Sequence, residues 1–155
     1  QFIILYLVST ISTVIGSFVF GYITKRIGAK NAVTIVAILM IVSLFVAVFA
    51  YDQWMFWIAG SMFGVSLGSM WVTSRTLIIE LSPEDKRGQF FGLFAFSGKV
   101  SSIIGPVLYG TITYQLQDYG PLASRIALST FIIMTVIGLI IHLRLKHNST
   151  DPKVG

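Results

Sequence analysis

Five long apolar stretches constrain this chain more than any other feature of its sequence. A helix that crosses the hydrocarbon core of a bilayer needs about 20 predominantly apolar residues. The stretches lack the sustained period-two alternation that a membrane-spanning strand requires. Charged residues make up 11% of the chain, against about 25% in soluble domains. The sequence therefore predicts an all-α, polytopic transmembrane helix bundle with five spans: Phe2 to Thr24, Ala32 to Ala50, Trp54 to Ile79, Phe90 to Tyr114 and Leu122 to Leu143.

The connections between the spans are short and alternate in charge. They read KRIGAKN, YDQ, ELSPEDKRGQ and QLQDYGP, so we expect successive helices to be antiparallel. Lys and Arg concentrate in the first and third connections and after the last span, as in cytoplasmic loops, whereas Asp52 and Asp118 occupy the other two connections. We expect a multi-pass membrane protein with a transmembrane part over 1–146, a cytoplasmic tail over 147–155 and Gln1 on the opposite side. The basic residues that set this orientation are Lys25, Arg26, Lys30, Lys86, Arg87, Arg144, Lys146 and Lys153.

Several kinds of chemistry find no support in the sequence. The chain has no Cys, which excludes disulfides, thiolate metal sites and cysteine nucleophiles. Its two histidines, His142 and His147, lie beside Arg144 and are interpreted as part of the basic tail. No catalytic set and no metal-ligand spacing is evident, so we expect no enzyme, no metal and no cofactor. The net charge of +5 does not form a basic stripe with interleaved polar residues, which argues against nucleic acid as a partner.

Two cations fall inside the predicted spans and are the candidates for function. A charge at the bilayer centre costs at least ~2.5 to 3.5 kcal/mol on insertion scales. Lys99 lies about 14 Å past Phe90 at 1.5 Å per helical residue, near the middle of its span. Arg75 lies only about 7 to 8 Å from Glu80 and the third connection, so its side chain could reach the headgroups. The neighbours of Lys99 are small and mostly polar: Ser97, Gly98, Ser101 and Ser102.

A structural role stays open for both cations. Glu80 follows Arg75 at a separation of five residues, which turns the two side chains apart, because facing pairs are three or four residues distant. We therefore expect Glu80 to find its partner on another helix. Whether Lys99 points into a polar cavity or into a packed ion pair distinguishes a binding role from a structural one.

Glycine and proline give weaker signals about helix packing. Gly60, Gly64 and Gly68 recur every four residues, which places them on one helix face and lets a neighbouring backbone approach closely. We favour packing within the bundle over a dimerisation seam for this face. Gly105 and Pro106 predict a kink in the fourth span, because Pro removes a backbone donor.

The stretch GYITKRIGAKN, Gly21 to Asn31, resembles the cytoplasmic loop motif of major facilitator transporters, which joins the second and third helices of a six-helix half. Here Lys25 stands where the pattern usually has an acid. The resemblance implies that the five spans are helices eight to twelve, a partial C-terminal half, and that helix seven and the whole N-terminal half of the same transporter are missing. It also implies a gating role for the loop residues Gly21, Lys25, Arg26, Gly28 and Lys30.

A second stretch, Ser74 to Gly110, resembles the vacuole effluxer-like (UMF-type) family of the same superfamily. One departure is Trp71, where a Gln is expected one turn before the Arg. Fungal members of that family are associated with export of amino acids from the vacuole. The resemblance implies a vacuolar membrane if the source is fungal, or the cell membrane of a prokaryote. The matching residues are Ser74, Arg75, Pro83, Phe90, Phe91, Gly92, Ser97, Gly98, Lys99, Gly105 and Pro106.

The resulting hypothesis is a secondary active transporter that moves a small, anionic or amino-acid-like solute by alternating access. Its expected partners are the lipid bilayer, the missing N-terminal half and the small-molecule solute. The expected substrate-binding residues are Ser74, Arg75, Ser97, Gly98 and Lys99. Two other hypotheses remain: a non-transporting membrane scaffold or assembly subunit, and, less favoured, an intramembrane enzyme.

Overall fold

The computed structural model describes residues 2–145, and these form five long helices joined by short connections. Each helix is long and apolar enough to cross a membrane, and the described residues contain no strand. This confirms the predicted all-α, membrane-spanning fold. The residues 146–155, with Lys146, His147, Lys153 and the predicted tail, lie outside the described residues. The helices are α1 (Phe2–Ile27), α2 (Ala29–Val48), α3 (Gln53–Leu81), α4 (Arg87–Gln115) and α5 (Pro121–Arg144).

The first connection is much shorter than the sequence indicates. The predicted seven-residue loop is almost entirely helical, because α1 continues through Lys25 and Arg26 and α2 already includes Lys30. Only Gly28 separates the two helices, with a φ of 82°. This left-handed conformation is accessible to Gly at little cost, so one residue suffices to end α1 and start α2. Lys25 and Arg26 fall in the last turn of α1, where positive charge complements the helix dipole.

The closest helix contact joins α1 and α3 along the predicted glycine face. A Cβ added to Gly64 would lie 2.3 Å from the carbonyl oxygen of Ser9, and one added to Gly68 would lie 2.1 Å from that of Thr13. Only a residue without a side chain fits at such distances. The contacts advance in the same direction along both helices, so α1 and α3 run parallel. The glycine face is thus used for packing inside the bundle.

The other helices are arranged around α3. Helix α2 packs against α3 and α5, α5 packs against α4, and α4 returns to make a few contacts with α3. Helices α2 to α5 therefore surround a central space, with α1 outside it against α3. No residue of α4 is buried, which makes α4 the least enclosed wall of this space.

Polar contacts attach α5 to α2 at both ends. The Nε2 atom of His142 lies 3.0 Å from the carbonyl oxygen of Lys30 and 3.2 Å from Oγ1 of Thr34, and the Lys30 ammonium donates to the carbonyl oxygen of Leu145. At the other end Arg125 donates to the carbonyl oxygen of Ala50 (3.3 Å). The assignment of His142 to the basic tail is therefore wrong. Its side chain is buried because α5 continues to Arg144 and turns this residue towards α2.

The glycine face of α3 gives a direct test of the fold. Replacing Gly68 by Ala forces the new methyl group against the backbone of Thr13, and we expect the protein to lose about 1 to 3 kcal/mol of stability through overpacking. Thermal unfolding of the purified full-length protein in detergent measures this loss.

Gly92→Ala is the matched control, because nothing lies within 4 Å of the added Cβ. Its unfolding temperature should equal or exceed that of the wild type, since Ala favours helix by up to about 1 kcal/mol over Gly. Equal effects of the two substitutions would contradict the close packing of α1 on α3.

Candidate functional site

A cavity of about 1220 Å³ opens between α2, α3, α4 and α5. Most of its lining comes from α3 and α4, whereas α2 and α5 each contribute one residue. The lining includes two cations and four serines but no Asp or Glu. The lining residues are Met40, Leu67, Met70, Trp71, Ser74, Arg75, Phe91, Phe94, Ala95, Ser97, Gly98, Lys99, Ser101, Ser102 and Gly138.

Helix α3 presents a continuous stripe to the cavity. Its lining residues recur at intervals of three and four, from Leu67 through Met70, Trp71 and Ser74 to Arg75, which keeps them on neighbouring faces of successive turns. The guanidinium carbon of Arg75 lies 5.3 Å from the centroid of the Trp71 ring. Cation–π attraction at this distance stabilises the guanidinium beside the indole.

Arg75 and Glu80 do not form an ion pair. Among the described residues, the salt bridge within 4.0 Å joins Arg87 to Glu84. Glu80 instead lines a small cavity of about 240 Å³ at the α1–α2 junction, together with Gly28, Lys30 and Asn31. Glu80 thus lies beside the α1–α2 junction, but the ion-pair partner expected on another helix is not found among the described residues.

Helix α4 divides into two faces although it buries nothing. Phe91, Phe94, Ala95, Ser101 and Ser102 follow helical spacing on the cavity side, with Gly98 at their centre. Ser97 and Lys99 flank Gly98, about 100° to either side of it around the helix, so they occupy the edges of this face. The opposite face is exposed and apolar, with Leu93, Phe96, Val100, Ile103 and Val107.

Lys99 occupies the middle of its helix and is exposed to the cavity. It lies close to the midpoint of the 29-residue helix α4. Arg75 lies nearer the C-terminal end of α3, which also has 29 residues. Lys99 makes no salt bridge with the described residues. The ammonium group is thus available to a ligand in the cavity.

The serine hydroxyls on the lining mostly donate to their own helix. Ser97 Oγ donates to the carbonyl oxygen of Phe94 (2.8 Å), and Ser102 Oγ donates to that of Lys99 (2.7 Å). Ser74 does the same with Met70. With the single hydroxyl proton engaged, each oxygen offers lone pairs to the cavity as an acceptor. Positive charge on the lining comes from Arg75 and Lys99.

The cavity brings together all five residues that the sequence proposes for substrate binding: Ser74, Arg75, Ser97, Gly98 and Lys99. The loop residues Gly21, Lys25 and Arg26 lie away from it in the last turns of α1, while Gly28 and Lys30 line the smaller cavity. Helix α4 continues through Gly105 and Pro106, beyond the lining residues.

The interval pattern on α3 could have identified Leu67, Met70 and Trp71 from sequence. Met40 and Gly138 carry no such signal, because their positions depend on how α2 and α5 pack.

Comparison with known proteins places these features in a family context. A family model described as Major Facilitator Superfamily matches residues 1–154. The uncharacterized MFS-type transporter YxiO of Bacillus subtilis is 32% identical over 126 residues, which cover 81% of this chain and 28% of YxiO. Autophagy-related protein 22 of Yarrowia lipolytica is 28% identical over 142 residues, covering 83% of this chain and 24% of that protein. Its counterpart from Kluyveromyces lactis is 47% identical over 57 residues, which cover 37% of this chain and 12% of that protein.

The match is therefore to a part of longer proteins. The chain spans about a quarter of the length of YxiO and of the Yarrowia protein. No solved structure matches the chain at a significant level.

The water accessibility of the cavity can be tested by cysteine labelling, because the chain has no native Cys. In a full-length background without other cysteines, Ser97→Cys should react with a charged methanethiosulfonate at least about tenfold faster than Ser66→Cys, since the thiolate must form in contact with water. Ser66 is a matched control, because its relative exposure is 0%.

A second control separates water from lipid. Phe96 is 66% exposed but lies on the face of α4 that points away from the cavity, so Phe96→Cys should also label slowly in a bilayer. Equal labelling of Ser97→Cys and Phe96→Cys would contradict a water-filled cavity on one side of α4.

Proposed function

Since the chain belongs to the major facilitator superfamily, we propose that it supplies part of the C-terminal half of a secondary transporter for a small anionic or amino-acid-like solute. Transporters of this superfamily contain two six-helix halves and bind substrate near the bilayer midplane. The five helices then correspond to helices eight to twelve, within 1–146. The N-terminal half of the same transporter is the proposed partner on the open side of the bundle.

The observation that carries this proposal is the cavity with two cations and no carboxylate on its lining. An anion is the ligand that offsets their charge. A carboxylate suits Arg75, whose planar fork can form two parallel hydrogen bonds, and Lys99, whose ammonium acts as a compact point charge. Serine oxygens that already donate to the backbone can accept from an ammonium or hydroxyl group of the solute. The combination suits an amino acid as well as a simpler anion.

Alternating access supplies the proposed mechanism. One half of such a transporter rocks against the other around a fixed midplane site. Helix α4 is the proposed moving wall, with Gly105 and Pro106 as the place where it bends. The proposed gating residues are Gly21, Lys25 and Arg26 near the end of α1 and Gly28 and Lys30, which line the small cavity together with Glu80.

The orientation and location belong to the same proposal. The distribution of Lys and Arg favours a cytoplasmic C-terminus. A multi-pass membrane protein with autophagy-related relatives in fungi and a relative in Bacillus subtilis would lie in a vacuolar membrane or in a bacterial cell membrane, according to its source.

The scaffold alternative loses its main support in the structure. The contact seam of the scaffold hypothesis comprises Gly60, Gly64 and Gly68, which pack against Leu5, Ser9 and Thr13 of the same chain. They are therefore not free to meet another protein. The cavity residues Arg75 and Lys99 are also not engaged in ion pairs with described residues, in contrast to the packed ion pairs that the scaffold hypothesis expects.

Removing the Lys99 charge tests the proposed function. In vesicles reconstituted with the full-length protein, Lys99→Ala should reduce uptake of the transported solute by about 30-fold or more, since losing one partner of a desolvated charge pair costs 2 to 5 kcal/mol. Uptake from a panel of radiolabelled amino acids and carboxylates measures the effect, and Lys99→Arg should retain part of the activity.

Lys86→Ala is the matched control, because Lys86 is an exposed cation outside the cavity lining. It should transport at the wild-type rate. Wild-type uptake by a well-folded Lys99→Ala protein would contradict a binding role for this charge.

A further inference from the structure

Trp71 is an aromatic residue on the α3 side of the cavity lining. It precedes Arg75 by one helical turn on α3, and both side chains border the cavity. An indole offers a ligand a flat apolar surface and one N–H donor.

The indole of Trp71 has surface left over after its contact with Arg75. The guanidinium lies 5.3 Å from the ring centroid, and 54% of Trp71 remains exposed. An aromatic ring has two faces, so a cation over one of them leaves the other free to stack. The surface is exposed on the wall of a cavity that also contains the proposed anion-binding groups.

The neighbouring lining is suited to a flat apolar group. Phe91 and Phe94 of α4 and Leu67 and Met70 of α3 border the same space. The cavity volume of about 1220 Å³ exceeds the roughly 300 to 1000 Å³ of common ligand sites, so it has room for a solute with a ring. A charged group and an aromatic surface one turn apart favour a solute in which a carboxylate and a ring are also close together.

We propose that Trp71 is a specificity-determining residue, whose indole stacks on a flat ring of the solute while Arg75 binds its carboxylate. The inference rests on the proposed transport function and adds a preference within it. Aromatic rings attract each other through complementary charge on their faces and edges, which a saturated ring of the same size lacks. The predicted preference is therefore for an aromatic over a cyclohexyl solute of equal charge.

L-Phenylalanine and L-cyclohexylalanine are the matched probes, since they differ in the ring alone. The saturated ring is the more hydrophobic, so simple burial favours cyclohexylalanine, whereas stacking favours phenylalanine. Calorimetric titration of the purified full-length protein should show phenylalanine binding roughly threefold to tenfold more tightly. Trp71→Gln should abolish this ratio, and Trp71→Phe should retain it in part.

Two further measurements locate the effect. Trp54→Gln should leave the ratio unchanged, because Trp54 is an exposed Trp of the same helix outside the cavity lining. In a full-length protein in which Trp71 is the single Trp, phenylalanine should quench or shift its fluorescence.

The outcomes separate this inference from the proposed function. If Trp71→Gln weakens both probes equally, Trp71 acts only by holding Arg75, and the specificity role is overturned. Failure of the wild type to bind either probe, or a preference for cyclohexylalanine, overturns it as well. The transport function stands or falls separately, on whether uptake of any solute in the panel depends on Lys99.

Discussion

The close approach of α1 and α3 determines where the other helices can lie. In a bilayer the lipid tails are as apolar as the side chains, so helices associate through tight packing and hydrogen bonds instead of hydrophobic burial. Gly64 and Gly68 allow such packing because the backbone carbonyls of Ser9 and Thr13 occupy the space where a Cβ would be. The Oγ of Ser69 donates to the carbonyl oxygen of Val65 in its own helix (2.6 Å) and also lies 3.2 Å from that of Gly16 on α1. With α3 fixed in this way, the stripe of α3 from Leu67 to Arg75 faces the cavity.

The strength of attachment differs among the remaining helices, and this difference bears on mechanism. Helix α5 is attached to α2 near both of its ends, through His142 and Arg125. Helix α4 buries no residue, yet it carries Lys99. When the least enclosed helix moves, the surroundings of a charge on it change more than those of a charge on a more enclosed helix. This arrangement agrees with a transporter in which binding of a solute and movement of a wall are coupled.

The sequence predicted the fold well because membrane spans are recognised by length and hydropathy alone. All five helices were expected, and their observed ends differ from the predicted ones by at most three residues. The predicted length of the first connection was wrong, because a single Gly with positive φ can replace a loop and hydropathy cannot detect this. His142 was misplaced for a related reason: its burial depends on the packing of α5 on α2. The candidate site was proposed from charge at depth, which identified Arg75 and Lys99 but could not supply Met40, Gly138 or the contact between Arg75 and Trp71.

The two cations of the cavity differ in the contacts that they make with the described residues. A cation in the membrane interior costs ~2.5 to 3.5 kcal/mol on insertion scales. Arg75 recovers part of this cost by lying over Trp71, which also restricts the orientation of its guanidinium. Lys99 has no comparable contact among the described residues. An anion that enters the cavity therefore stabilises Lys99 more than it stabilises Arg75. Under the proposed function Arg75 orients the anion, whereas Lys99 supplies the larger share of the electrostatic attraction. Binding then relieves an unfavourable charge on the most loosely packed helix, which couples occupation of the site to the position of α4.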